Sequence, residues 1–189
     1  AWGQVKKLTA SDGAADDQFG IAVAVDGDTI VVGANRDKMG ANVFQGSGYV
    51  FSRNQGGANN WGEVKHLIAS DGAAYDDFGW SVAVDGDTIV VGARYDNVGV
   101  NSYQGSAYIF SRNQGGANNW GEVKKLTASD GMEGDYFGWS VAVDGDTIVV
   151  GAYFDNVGAN AGQGSAYIFS RDQGGAGVWG EVKKLAASD

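Results

Sequence analysis

Carboxylates, aromatic rings and one imidazole are the side chains of this 189-residue chain with chemistry to offer. Asp37, Asp96-Asn97 and Asp155-Asn156 are followed at fixed spacing by Asn42, Asn101 and Asn160. Hard oxygen donors in such a pattern suit calcium. Asp and Asn are also ordinary turn formers that bond their own backbone. Lys38 stands where the later copies hold Asn97 and Asn156, which weakens a shared metal design. The candidate metal ligands are therefore Asp37, Asp96, Asn97, Asn101, Asp155, Asn156 and Asn160, with calcium the one cofactor these residues suggest. Asp16, Asp17, Asp76, Asp77 and Asp135 would add oxygens if their loops met the first set.

A second group is built for recognition. Arg36, Tyr75, Arg94, Tyr95, Tyr103, Tyr136, Tyr153 and Phe154, with Phe44, are residues of the kind enriched at binding hot spots. They suit a glycan or protein ligand. The competing reading is drift in exposed loops. Catalysis has less to stand on. The single histidine, His66, occupies a position that holds Lys7, Lys125 and Lys184 elsewhere, so it reads as exposed. No nucleophile elbow, phosphate loop or histidine-rich cluster appears. Acid pairs such as Asp76-Asp77 have acid–base potential, but adjacent loop acids are usually only solvated. No catalytic residue is predicted, and no enzyme.

These groups recur because the chain repeats. Tryptophans stand at Trp2, Trp61, Trp120 and Trp179, a period of 59 residues. Each opens the same phrase, as in Trp61-Gly-Glu-Val-Lys. The repeats run 2–60, 61–119 and 120–178, and a partial fourth copy covers 179–189, all within one repeat domain at 1–189. Such close copies point to recent duplication or to an engineered consensus; both stay open.

Each copy holds four strand-like runs. In the second they are A (80–84), B (88–91), C (106–110) and D (120–126). Asp85-Gly86 between A and B is a two-residue hairpin signal that predicts a type I′ turn. Run B is apolar throughout, as in a strand buried on both faces. Run D carries lysines, which suit an outer edge. Trp80 and Trp139 give way to Ile21 in the first copy, so they read as apolar packing sites, as do the tryptophans that open run D. Four short strands per repeat of this length form the blade pattern of a β-propeller. The fold class is all-β: three four-stranded antiparallel blades.

Composition excludes several partners. The formal net charge is −10, which repels phosphate backbones and anionic bilayers, so neither nucleic acid nor membrane insertion is expected. There is no cysteine for disulfide or thiolate chemistry.

The phrase Phe78-Gly79-Trp80-Ser81-Val82-Ala83-Val84, then Gly92-Ala93, then Gly105-Ser106-Ala107-Tyr108-Ile109-Phe110, resembles the FG-GAP repeat family. The resemblance implies a propeller like that of integrin α chains, used in recognition or adhesion, and an extracellular or cell-surface setting. Two departures stand out. Asn35, Arg94 or Tyr153 follows Gly-Ala where the family name expects proline. The integrin-type calcium loop between runs A and B is replaced by the short turn Asp26-Gly27-Asp28 and its copies. Two residues cannot wrap six to eight oxygens round one ion, so the chain resembles the calcium-free branch.

Three blades cannot close a ring, and their end faces would stay apolar and open. The sequence therefore predicts a homodimer closing a six-bladed ring with two-fold symmetry. Four D runs for three A–B–C sets predict strand exchange at the junction, with residues 2–8 and 179–185 competing for one place. Loops D–A and B–C share one face of the propeller, and the differences between copies collect there.

Overall fold

The computed structural model describes residues 3–188. Trp2, the first landmark of the repeat, lies outside them. Twelve strands form: β1 Val23–Asp26, β2 Thr29–Ala34, β3 Ser47–Ser52, β4 Gly62–Leu67, β5 Phe78–Asp85, β6 Thr88–Ala93, β7 Ser106–Ser111, β8 Gly121–Leu126, β9 Phe137–Asp144, β10 Thr147–Ala152, β11 Ser165–Ser170 and β12 Gly180–Leu185. They make three separate antiparallel sheets of four strands, in the orders β1-β2-β3-β4, β5-β6-β7-β8 and β9-β10-β11-β12. These are blades 1, 2 and 3 of an unclosed propeller.

The Thr-Ile-Val-Val-Gly-Ala run explains the second strand of each blade. β-branched residues suit the pleated ladder, and β6 is buried along its whole length because blades lie on both sides. Apolar clusters fill the spaces between blades. One joins Val31, Val50 and Leu67 of blade 1 to Phe78, Ile89 and Trp120 of blade 2. The next repeats it between blades 2 and 3, with Trp179 in place of Trp120. The packing role predicted for these tryptophans follows: Trp120 and Trp179 are buried, each beneath the guanidinium of Arg112 or Arg171.

Three details differ from the sequence reading. First, Asp85 pairs with Thr88, so Gly86 and Asp87 are the two loop residues. Only Gly86 has positive φ, at 53°. That is the pattern of a type II′ turn, with glycine at the first central position, rather than type I′. Second, strand A begins at Phe78 in blade 2 and Phe137 in blade 3, earlier than run A predicts. Phe78 bridges to Gly46 and Phe137 to Gly105, each in the blade before. Blade 1 has no such neighbour, and β1 starts only at Val23.

Third, residues 3–8, which repeat β4, β8 and β12, form no strand. The D strand needs its own blade's third strand as ladder partner, and β12 is the D strand that pairs with β11, through Ala166↔Leu185, Tyr167↔Lys184 and Ile168↔Lys183. Residues 3–10 nevertheless lie against blade 1. Leu8 and Ala10 pack on its core. Ser11 donates through its backbone N and Oγ to the Glu63 carboxylate, each at 2.9 Å.

Candidate functional site

The loops predicted to share a face interlock across each junction between blades. The backbone N–H groups of Tyr75, Asp77 and Phe78 donate to the carbonyls of Val43, Phe44 and Gln45, and Tyr136 and Phe137 repeat this with Tyr103 and Gln104. This docking holds Phe44, Tyr75, Asp77, Tyr103 and Tyr136 at φ between 54° and 72°, a region that costs free energy for side chains other than glycine.

Six of the predicted recognition residues come together. Tyr95 meets Tyr103 and Tyr136 edge-on at 5.4 and 5.5 Å. Tyr136 continues to Phe154 at 6.4 Å. Trp139 stacks on Tyr153 at 4.6 Å and lies 5.4 Å from Trp80. The Arg94 guanidinium sits 3.2 Å from the Trp80 ring centroid and 4.3 Å from that of Tyr95, and pairs with Asp77 at 2.9 Å. Trp80 and Trp139, which the sequence presents only as packing sites, are thus the centre of the cluster. Arg36 and Tyr75 stand apart from it, gathered around Phe44. Tyr153 and Phe154 are 57% and 52% exposed, on the open side of blade 3.

The predicted calcium ligands are distributed among repeated polar clusters. In blade 3, Lys184 Nζ lies 2.6 Å from Asp155 and 2.8 Å from Asp130, and the Tyr167 hydroxyl donates to Asp130 at 2.7 Å. In blade 2, Lys125 joins Asp96 and Asp71 in the same way, while Ser106 and Tyr108 donate to Asp96. In blade 1 the cation's place is taken by His66. Its Nδ1 lies 3.3 Å from Asp12 and its Nε2 3.5 Å from Asp37, and the ring stacks on Tyr49 at 4.5 Å. His66 is therefore half-buried in a polar cluster, a correction to its reading as exposed. Lysine and imidazole occupy the same place between two carboxylates, but only the lysines bond both; His66 Nε2 has no hydrogen-bond partner.

The charges respond to this packing. Burial raises the Tyr49, Tyr108 and Tyr167 hydroxyls. Burial alone would lower the lysines, but the flanking carboxylates outweigh it and hold Lys125 and Lys184 above the usual range. Burial likewise pushes Asp71 and Asp130 up, yet the lysine and tyrosine bonds bring both below the ordinary carboxylate value.

The amides bond within their own loops, and Asn101 also donates to the Gly131 carbonyl of the following D–A loop at 3.1 Å. Asn97 and Asn156 accept from the N–H groups of Tyr103 and Gly162, while Asn101 and Asn160 donate to Gln104 and Gln163. Of the D–A loop acids, Asp17, Asp76 and Asp135 accept from the backbone of Ala14, Ala73 and Met132. Burial pushes the Asp76 carboxyl up to about 6. Asp16 is exposed, with φ at 70°. Among the described residues, no three His, Cys, Asp or Glu side chains gather into a metal-ligating group. The short A–B turn does not supply one either: Asp26 accepts from Gly86 N of the next blade at 2.8 Å, and Asp28 pairs with Arg53.

The two end faces are the largest departures from the repeat. In blade 2 every residue of β6 is buried; in β10 Thr147 is exposed and Val149 and Gly151 are half-buried. Leu185 is 41% exposed where Leu126 is 2%. At the other end, Val23 and Val25 are exposed where Val82 and Val84 pack against the core. Blade 3 also carries a cleft of about 460 Å³, lined by Trp139, Gly151, Ser165, Ala166 and Leu185 among others. At the internal junctions, the equivalent place receives the Phe78-Gly79 and Phe137-Gly138 segments. A Cβ added at Gly33 or Gly92 would stand 1.9 or 2.1 Å from the carbonyl oxygen of Gly79 or Gly138. At Gly151 the same atom would meet only Ser140, in its own blade.

A family model described as FG-GAP repeat matches residues 2–51, 61–110 and 120–169. No curated protein matches the sequence. Among solved structures, a europium-containing methanol dehydrogenase is similar in fold, with a TM-score of 0.51 at 12% identity. The similarity covers 87% of this chain, which spans 24% of the dehydrogenase chain.

Proposed function

From the premise that the chain belongs to the FG-GAP repeat family, we propose that it is a non-enzymatic β-propeller module that assembles with a second copy of itself. The observation that carries this reading is the match between its two ends. The face left open on blade 3 is the surface that blades 1 and 2 use to receive their followers. The face left open on blade 1 is the one that blades 2 and 3 insert. Blade 3 of one copy therefore receives Phe19-Gly20 of the other, and the reciprocal junction closes six blades about a two-fold axis. Burying Val23, Val25, Val149 and Leu185 supplies the apolar driving force.

The non-enzymatic part rests on titratable groups being engaged: Lys125 and Lys184 bridge carboxylates, His66 is packed between Asp12 and Asp37, and Asp17, Asp76 and Asp135 bond backbone. The family setting supports an extracellular location. Light scattering after size exclusion tests the assembly: a mass twice the 19.6 kDa chain supports it, and a monomer at micromolar concentration overturns it.

A second reading is favoured by the aromatic cluster. Tyr153 and Phe154, exposed beside Trp139 and backed by the buried Arg94–Asp77 pair, form a surface able to stack on sugar rings or seat a protein side chain. A glycan array separates the readings. Reproducible binding lost in Tyr153→Ala supports recognition at this face, and binding indifferent to that change refutes it.

A further inference from the structure

Blades 1 and 2 leave a crevice of about 160 Å³ between them, on the side that carries the C–D loops. Its polar wall is Ser52 and Gln55 of blade 1 with Arg112 and Asn118 of blade 2, and Phe51 and Trp120 supply an apolar wall. Both walls belong to one chain, so the crevice needs no second copy. The repeat builds the same frame at the next junction. Arg112 Nη2 donates to Thr29 Oγ1 across the first junction at 3.3 Å, and Arg171 Nη2 to Thr88 Oγ1 across the second at 3.2 Å. Asn118 N donates to Asn113 Oδ1 as Gly177 N donates to Asp172 Oδ1. The wall is what differs: Gly177 stands where Asn118 does and brings no side chain. Both have positive φ, 55° at Asn118 and 72° at Gly177. Glycine meets such a value without steric cost, and the first junction carries a carboxamide there instead.

Several groups on this wall are uncommitted. Arg112 spends Nε on Asp87 and Nη2 on Thr29 and the Gly86 carbonyl. Gln55 and Asn118 bond through their backbones. Among the described residues, the Ser52 hydroxyl and the two carboxamides have no partner in the protein. Each of these groups both donates and accepts, so hydroxyl groups match them best. An anion is disfavoured, because the one cation on the wall already pairs with Asp87 and the chain carries a charge of −10. A cation finds no carboxylate on the wall. Phe51 and Trp120 suit the C–H face of a ring. The space equals about five waters at ~30 Å³ each, well below the ~300 Å³ of sites for drug-sized ligands. We propose that the crevice between blades 1 and 2 binds a single neutral sugar ring, free or at the end of a glycan, with Ser52, Gln55 and Asn118 bonding its hydroxyls.

Saturation-transfer NMR on the full chain tests this with glucose, galactose and N-acetylglucosamine and with their methyl glycosides. At least one probe is expected to bind with a Kd on the order of millimolar, as suits so small a ligand. Asn118→Gly installs the third copy's residue at a backbone angle that glycine accepts, so the fold stands while binding should weaken roughly fivefold, the share of one neutral hydrogen bond. Gln55→Ala, in an exposed loop, should weaken it similarly. Binding of a methyl glycoside supports the site as one for glycan ends, and binding of free sugars alone supports it as one for monosaccharides. No transfer to any probe would leave the crevice to water and overturn the proposal. Transfer indifferent to both variants would overturn it too. If that transfer is lost in Tyr153→Ala instead, the sugar lies on the D–A/B–C face, so the recognition reading survives and the crevice does not.

Discussion

Replacing Gly151 with alanine should break the assembly while leaving the chain folded. Within one chain the added Cβ meets only Ser140 Oγ, at 2.4 Å, which a rotation about χ1 relieves. At a closed junction the same atom would face the partner's Gly20 carbonyl, as Cβ atoms at Gly33 and Gly92 face the next blade at 1.9 and 2.1 Å. Ordinary contact begins near 3.4 Å, so the blades must separate by more than an ångström or lose their backbone docking. Overpacking of this kind costs about 2 kcal/mol per junction. A two-fold ring contains two such junctions, which gives about 4 kcal/mol, or roughly a thousand-fold in the dimer Kd. Sedimentation velocity over a dilution series measures that constant. Urea unfolding of the dissociated chain, monitored by tryptophan fluorescence, should show a shift within about 0.5 kcal/mol of the parent. An unchanged Kd would refute the geometry of closure, and a collapsed fold would refute the claim that this face is open.

Gly92→Ala makes the contrasting case. Its Cβ strikes the Gly138 carbonyl inside the chain, so urea stability should fall by about 2–3 kcal/mol at every protein concentration. Asp76 titrates near 6 when folded and near 4 unfolded, so the folded state holds its proton more tightly. Its contribution to stability is greatest below pH 4 and is lost as pH rises to 6. Asp76→Asn should match the parent near pH 4 and exceed it by about 1–2 kcal/mol at pH 7 in urea unfolding; a constant difference across that range would refute this. Lys184→Met leaves Asp155 buried without its cation and should cost about 1–3 kcal/mol, whereas Lys184→His should cost less than half of that, since His66 fills the same place in blade 1. Chelation by EDTA should leave the melting temperature unchanged, because Lys125 and Lys184 already bridge the acids of blades 2 and 3 that calcium would need.

Much of the architecture is legible in the sequence. The 59-residue period, the Val/Ile/Tyr/Phe runs and the glycines between them lead to four strands per blade and three blades. The buried second strand and the lysine-bearing edge follow from composition alone. What the sequence hides is relational. Near-identical D runs at 3–8 and 180–185 carry no mark of which one pairs with β11; only the chain's path decides that. His66 misleads because exchange with lysine signals exposure in most proteins, while here the shared position is half-buried between two carboxylates. The tyrosines, Phe154 and Arg94 of the aromatic cluster are legible by type and loop, but Trp80 and Trp139 are not. Their run looks like interior strand, and only the seating of Arg94 over Trp80 reveals them as the hub that the tyrosines surround. The Asp and Asn pattern reads alike for an ion and for a turn, and the sequence carries no side-chain directions; in the structure Asn97 and Asn156 accept from backbone N–H groups of their own loops.

The near-identity of the junctions has a consequence for how the chain comes apart. Each blade is held by its neighbours through one repeated set of contacts, so stability behaves as a short row of like units coupled in sequence. Blade 2 has two neighbours; blades 1 and 3 have one each. Amide hydrogens of β6 and β7 should therefore exchange last, and those of β1 and β12 first, as the row frays from its ends. Joining the row into a circle removes the ends. Fraying would then have no place to start, and a gradual loosening would become a single concerted event.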